Sequence, residues 1–118
     1  MKEDNLIVSK SMDYAVRIVR LYQYLISEKK EYILSKQILR SGTSVGANVK
    51  EAERGQSKPD FISKMSIALK ECSETEYWLD LLHKTDYITD KMYDSLYADN
   101  LELLKMLTSI INSAKKNQ

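Results

Sequence analysis

Apolar residues recur along this chain at three- and four-residue intervals. They fall in four blocks separated by short polar stretches, the pattern of amphipathic helices. The first block predicts a helix from about Asn5 to Glu28. Tyr14, Ile18, Leu21 and Leu25 form one row at helical spacing, and Met12, Val16, Val19 and Ile26 form a second row beside it. Lys10, Asp13, Arg17, Arg20 and Tyr24 fill the remaining face. An apolar arc this wide exceeds what a single core requires, so the helix is expected to bury a second surface against another subunit.

Lys29-Lys30-Glu31 breaks the pattern. A second helix is predicted from Leu34 to Glu53, with Ser35 as its N-cap and Ile38, Gly42, Val45, Val49 and Ala52 as its inward row. Its middle is unusual, because every residue from Ser41 to Ala47 except Val45 is small. Each glycine costs about 1 kcal/mol of helix propensity relative to alanine. Gly42 and Gly46, one turn apart, would also let two backbones approach closely. The continuous helix is the favoured expectation, and a break near Gly42 is the alternative. Gly55 to Asp60 is the clearest boundary: Gly55 suits a helix C-terminus, Ser57 and Asp60 resemble a capping box, and Pro59 is tolerated in a first turn.

The third helix is then expected to run to about His83, with Phe61, Met65, Ala68, Cys72 and Leu79 inward and Ile67, Tyr77 and Leu81 pointing away. Thr85 to Thr89 reads as a turn, with Thr89 the N-cap of a fourth helix running to about Ala114 through Tyr93, Leu96, Leu103, Leu104, Leu107, Ile110 and Ile111. Lys115 and Lys116 complement its dipole. Four helices joined by short connections predict one all-α domain over residues 1–118, an antiparallel up-down-up-down four-helix bundle.

Composition agrees with this picture. Three glycines and one proline are too few for the turns of a β-rich chain of 118 residues. The net charge of +1 is below that of a dedicated nucleic-acid coat protein. The charge is uneven, however: residues 1–40 carry eight basic and five acidic groups, and residues 59–99 carry four and nine. This asymmetry makes either a positive face, a subunit-to-subunit attraction or two ordinary solvated faces. The first ten residues include two acids and no long apolar stretch, so no signal peptide is expected. No apolar run approaches the ~20 residues of a membrane span. A cytoplasmic location is the expectation.

Little in the chain suggests catalysis. His83 is the only histidine and sits near a helix end, where a structural role is favoured. Glu71, Glu74, Glu76 and Asp80 lack the paired Glu-x-x-His motifs of a di-iron bundle. Cys72, the only cysteine, falls on an inward face and reads as a buried small hydrophobe. Gly42 and Gly46 are not followed by the Lys-Ser/Thr of a phosphate loop. No nucleophile, base and orienting partner occur together, so no enzyme, metal, cofactor or small-molecule substrate is expected. One polar constellation remains: Arg40, Ser44, Asn48 and Glu51 share a side of the second helix roughly opposite its Ile38–Val45–Ala52 row. A side-chain network, a polar partner or a plain solvated face would each account for it.

From Leu39 to Leu82 the chain reads LRSGTSVGANVKEAERGQSKPDFISKMSIALKECSETEYWLDLL. This stretch resembles the bacterial four-helix-bundle family named for proteins encoded in intervening sequences of large-subunit ribosomal RNA genes. Arg40, the Ser44-Val45-Gly46-Ala47-Asn48 run, Glu51-Ala52, the Ser57 turn with Phe61, Ala68-Leu69, Glu74, Glu76 and Leu79 carry the likeness, which covers nearly the whole chain. The resemblance implies an up-down bundle, a ring-shaped homopentamer, no established enzymatic activity and an RNA-related role presumed from genomic location. A similar bundle is the accessory protein of diversity-generating retroelements, a strongly basic pentamer that engages reverse transcriptase and nucleic acid. This near-neutral chain departs from that relative.

Two functional readings follow. The leading one is a non-enzymatic oligomer that engages RNA or an RNA-handling enzyme through Arg17, Arg20, Lys36, Arg40, Arg54 and Lys58. The other is a protein–protein adaptor without nucleic-acid contact, in which Arg17, Arg20 or Arg40 pairs with Glu74 or Glu76 and leaves no free positive surface.

Overall fold

The computed structural model describes the backbone of residues 2–117 and the side chains of residues 6–117. Four helices, α1 (Lys2–Ser27), α2 (Leu34–Glu53), α3 (Lys58–Lys84) and α4 (Asp90–Lys116), make up nearly all of it, and no strand occurs among the described residues. The molecule measures 47 × 21 × 19 Å, the shape of a bundle of parallel rods about 40 Å long for a 27-residue helix at 1.5 Å per residue. No described helix is long and apolar enough to cross a membrane.

Each helix packs on its neighbours in sequence, and α4 closes the bundle on α1. Cross-helix partners run in opposite directions along each seam. Lys10, Tyr14 and Arg17 meet Glu102, Asn100 and Asp99, and Arg40 and Glu51 meet Glu74 and Lys64. Every adjacent pair is therefore antiparallel, as short connections dictate.

Local chemistry sets the helix ends. Ser57 accepts a hydrogen bond from the Asp60 amide at 3.2 Å, and Thr89 accepts one from Met92 at 3.1 Å, as their positions predicted. At α2 the expected cap was Ser35, and the structure corrects this. Ser35 lies inside the first turn, buried, with its hydroxyl donating to the Glu31 carbonyl at 2.9 Å. The cap is the Glu31 carboxylate, which accepts from the amides of Ile33, Leu34 and Ser35 at 3.1, 3.1 and 2.7 Å. Burial opposes the charge on Glu31, but the three amide donors outweigh it and hold its pKa below the usual carboxylate value. Gly55 ends α2 without the left-handed conformation usual for a terminal glycine, since no glycine has positive φ. It is needed for room: a Cβ there would lie 2.8 Å from Asp60 Oδ2 and 3.0 Å from the Ala52 carbonyl oxygen.

The Ser41–Ala47 segment is continuous helix, and packing explains why. A Cβ on Gly42 would sit 2.8 Å from both Cγ atoms of Ile18, and one on Gly46 would sit 3.2 Å from the Ser11 carbonyl oxygen. The two glycines let α1 and α2 touch almost backbone to backbone, which offsets their poor propensity. The core is filled by Tyr14, Ile18 and Leu25 of α1, Ile38, Val45 and Val49 of α2, Met65, Cys72 and Leu79 of α3, and Leu103 and Leu107 of α4. Of the inward residues read from the sequence, Phe61, Tyr93 and Leu104 are only half-buried. Asn100, which that reading passed over, is fully buried.

Candidate functional site

The polar stripe on α2 becomes a seam with α3. Ser44 and Asn48 donate to the carbonyls of Arg40 and Ser44 at 2.6 and 2.9 Å, bonds that tie these side chains to their own helix. Arg40 reaches across to two carboxylates, Glu71 at 3.2 Å and Glu74, and Glu51 pairs with Lys64 at 3.2 Å. Glu74 also accepts from the Trp78 indole N–H at 3.0 Å. That indole bond, with the Arg40 guanidinium, holds the Glu74 carboxyl below the ordinary range, and Glu74 in turn raises Arg40. Arg40 is half exposed, so this network contributes only on the order of 0–1 kcal/mol per pair. Its larger effect is to neutralise Arg40. Glu76 stands apart from the seam. It turns toward α4, where its charge, with a hydrogen bond, raises the pKa of Tyr97.

The α1–α4 seam treats Arg17 the same way. Its guanidinium pairs with Asp99 and donates to the Ser95 hydroxyl at 2.8 Å, while Lys10 pairs with Glu102 at 3.1 Å. On the α3–α4 side, the His83 ring stacks on Tyr93 at 4.1 Å and Tyr93 stacks on Tyr97 at 5.4 Å. His83 Nε2 lies 2.7 Å from Asp90, and the Tyr93 hydroxyl donates to Asp80, which raises the tyrosine pKa. His83 thus has the structural setting expected of a helix-end histidine.

At the opposite end of the bundle, the α2–α3 turn meets the end of α4. Lys58 Nζ donates to the Asn117 carbonyl at 3.0 Å, which brings Arg54 and Lys58 beside Lys115 and Lys116. Arg20, Lys36, Arg54, Lys58, Lys115 and Lys116 are exposed and form no ion pair among the described residues.

Reactive chemistry is shielded. The Cys72 thiol is fully buried and donates toward Asn100 Oδ1 at 3.3 Å; burial first, and the Glu76 charge second, push it up to about 12. No group of three or more His, Cys, Asp or Glu among the described residues is placed to hold a metal ion. The surface can therefore offer charge, hydrogen bonds and apolar contact.

The profile of the 23S rRNA-intervening sequence proteins matches residues 3–109. The chain belongs to the 23S rRNA-intervening sequence protein family. It is also similar to a solved structure, a protein of unknown function from the S23 ribosomal protein family of Bacteroides thetaiotaomicron VPI-5482, determined at 1.70 Å. The two share 57% identity over 93% of this chain and 98% of that one, with a TM-score of 0.92. No curated protein matches in sequence.

Within this family member, the six cations singled out in the sequence do not form one face. Arg17 lies on the α1–α4 seam and Arg40 on the α2–α3 seam, each in ion pairs. Arg20 and Lys36 lie on the outer surfaces of α1 and α2, toward the end of the α1–α2 turn. Arg54 and Lys58 occupy the opposite end. The stripe holds together as Arg40, Ser44, Asn48, Glu51 and Glu74, joined by Glu71 and Trp78 and without Glu76. The grouping of Arg54 and Lys58 with the α4 terminus was invisible in the sequence, because it joins residues some sixty positions apart. The buried Tyr14–Asn100–Cys72 set was missed too. Asn100 stands four residues after Leu96 and three before Leu103, so helical spacing alone could have found it.

Proposed function

We propose that this protein is a non-enzymatic, self-assembling binding module whose repeated basic ends engage RNA. The observation that carries self-assembly is the outer row of α1. Met12, Val16 and Val19 are 62, 46 and 37% exposed on a helix whose other apolar row is already in the core. Such a row needs cover, and a second subunit supplies it. The family resemblance sets the number at five. The family's name ties its members to 23S rRNA genes, which favours RNA as the partner. Arg54, Lys58, Lys115 and Lys116 at one end of each bundle are the cations free to meet phosphates. Each copy alone is weak; repetition in a ring converts weak contacts into affinity by avidity.

The test uses labelled single-stranded RNA and a labelled 23S rRNA fragment with the purified oligomer. Binding should fall steeply with salt, because phosphate contacts release counterions. Arg54→Glu with Lys58→Glu should abolish it without changing oligomer mass. Salt-insensitive or absent binding by the parent removes the RNA reading. The adaptor reading gains from a specific observation: Arg17 and Arg40 are neutralised inside the chain. It would be favoured if the oligomer is intact and retains a protein partner but no RNA.

A further inference from the structure

The charge asymmetry of the sequence and the exposed apolar residues coincide on two opposite faces of the bundle. On α1, Lys10, Tyr14 and Arg17 meet α4, while Ser11 and Ile18 meet α2. Met12 and Val19 each follow an α2-facing residue by one position, a further turn of about 100° away from α4. With Val16 they lie on the outer surface shared with α2, beside the small Thr43 and Gly46. The cations of this face are Arg20 and Lys36, both exposed.

On α3, Glu71 and Thr75 meet α2, while Cys72 and Asp80 meet α4. Tyr77 follows Glu76 by one position and Leu101 follows Asn100, which puts both on the outer surface shared by α3 and α4. They are 58 and 37% exposed, and half-buried Tyr97 lies between them. The charges of this face are Glu76, Asp80 and Asp94. Both charge sets occupy the half of the bundle nearer the α1–α2 and α3–α4 turns.

We infer that the occupant of each face is a second copy of this chain, docked head to tail: the α1–α2 face of one subunit covers the α3–α4 face of the next. Charge complementarity carries this choice. Subunits related by a cyclic axis point the same way, so Arg20 and Lys36 arrive opposite Glu76, Asp80 and Asp94. Pairing either face with itself would leave the other apolar face uncovered. A head-to-tail contact closes into a ring when its rotation returns to the start, whereas a self-complementary face stops at a dimer. This inference rests on the self-assembly proposed above and adds which surfaces meet.

The test uses two full-length variants, Val16→Glu with Val19→Glu, and Tyr77→Glu with Leu101→Glu, each checked for helicity by circular dichroism. Each alone should be a monomer of 13.7 kDa by light scattering. Mixed in equal amounts they should form a dimer and nothing larger, because each retains the face the other has lost. A monomeric wild-type chain at tens of micromolar would overturn both self-assembly and this pairing. An oligomeric wild type whose variants stay oligomeric, or whose mixture stays monomeric, would leave self-assembly standing and overturn the pairing alone. Should the apolar substitutions unfold the chain, charge exchange decides. Arg20→Glu with Lys36→Glu should weaken assembly at least tenfold, and adding Glu76→Lys with Asp94→Lys to the same chain should restore it. No loss, or a loss without restoration, overturns the pairing.

Discussion

Gly42→Ala sets helix propensity directly against packing. Propensity alone predicts a gain of about 1 kcal/mol, since alanine is the better helix former and Gly42 lies in mid-helix. The structure predicts a net loss. The new methyl carbon would lie 2.8 Å from Ile18 Cγ1 and Cγ2 and 3.2 Å from Ile18 Cβ. Ordinary carbon contacts lie at about 3.5–4.0 Å, so α1 and α2 must separate by up to about 1 Å or Ile18 must leave its rotamer. Ile18 has no exposed surface and is packed on all sides, so neither response is easy. Overpacking of this kind costs about 1–3 kcal/mol, which leaves a net destabilisation of roughly 0–2 kcal/mol once the propensity gain is subtracted. The sharper measurement is a double-mutant cycle in urea at fixed protomer concentration. Ile18→Ala alone should cost about 2–5 kcal/mol. Combined with Gly42→Ala it should cost less than the sum, because the alanine methyl fills part of the space that Ile18 vacates. A coupling of about 1 kcal/mol or more in that direction is expected. If Gly42→Ala stabilises by its full propensity and the cycle shows no coupling, the close α1–α2 contact is wrong.

Three further outcomes follow from the same packing. Glu31→Gln should destabilise by about 0.5–2 kcal/mol in neutral urea titrations, through loss of a charged cap. Because the folded pKa of Glu31 is lowered, its contribution is present above the unfolded carboxylate pKa and disappears as pH falls through the folded value. The gap between wild type and Glu31→Gln should therefore close in acid, and a gap that widened there would contradict the cap. Asn100→Leu should cost about 1–3 kcal/mol by stranding the Tyr14 hydroxyl, which donates to Asn100 at 2.7 Å. Adding Tyr14→Phe should recover part of that loss in thermal or urea unfolding, and no recovery would mean the pair is not coupled. Cys72 should react with a thiol reagent at neutral pH only as fast as the chain unfolds, given full burial and a pKa pushed up to about 12; rapid labelling of the native protein would refute this.

Much of the fold was legible because helix-forming information is local. The rows of α1, the Ser57 and Thr89 caps and the Pro59 boundary act within a few residues of themselves, and each appears where spacing put it. Leu34–Glu53 matches the expected second helix at both ends. What failed locally was the α2 cap. Serine is the commoner capping residue, but a glutamate four positions earlier could reach three amides once the chain turned through Lys30, whose φ is +54°. That choice depends on the path of the turn and not on residue preference.

The site was less legible, because charge acts through space. The sequence by itself determined that this chain is basic in its first third and acidic in its third helix, and that α1 carries more apolar surface than one core can hold. Tertiary structure alone decided which of two apolar rows faces inward: Tyr14, Ile18, Leu21 and Leu25 went to the core, while Met12, Val16 and Val19 stayed outside. It also sorted the cations. Arg17 and Arg40 fell opposite carboxylates on neighbouring helices and were neutralised, while Arg54 and Lys58 were carried to the end of α4. Helical periodicity places a residue on a face of its own helix. Which helix that face meets, and with what charge, is settled only when four helices pack in a particular order.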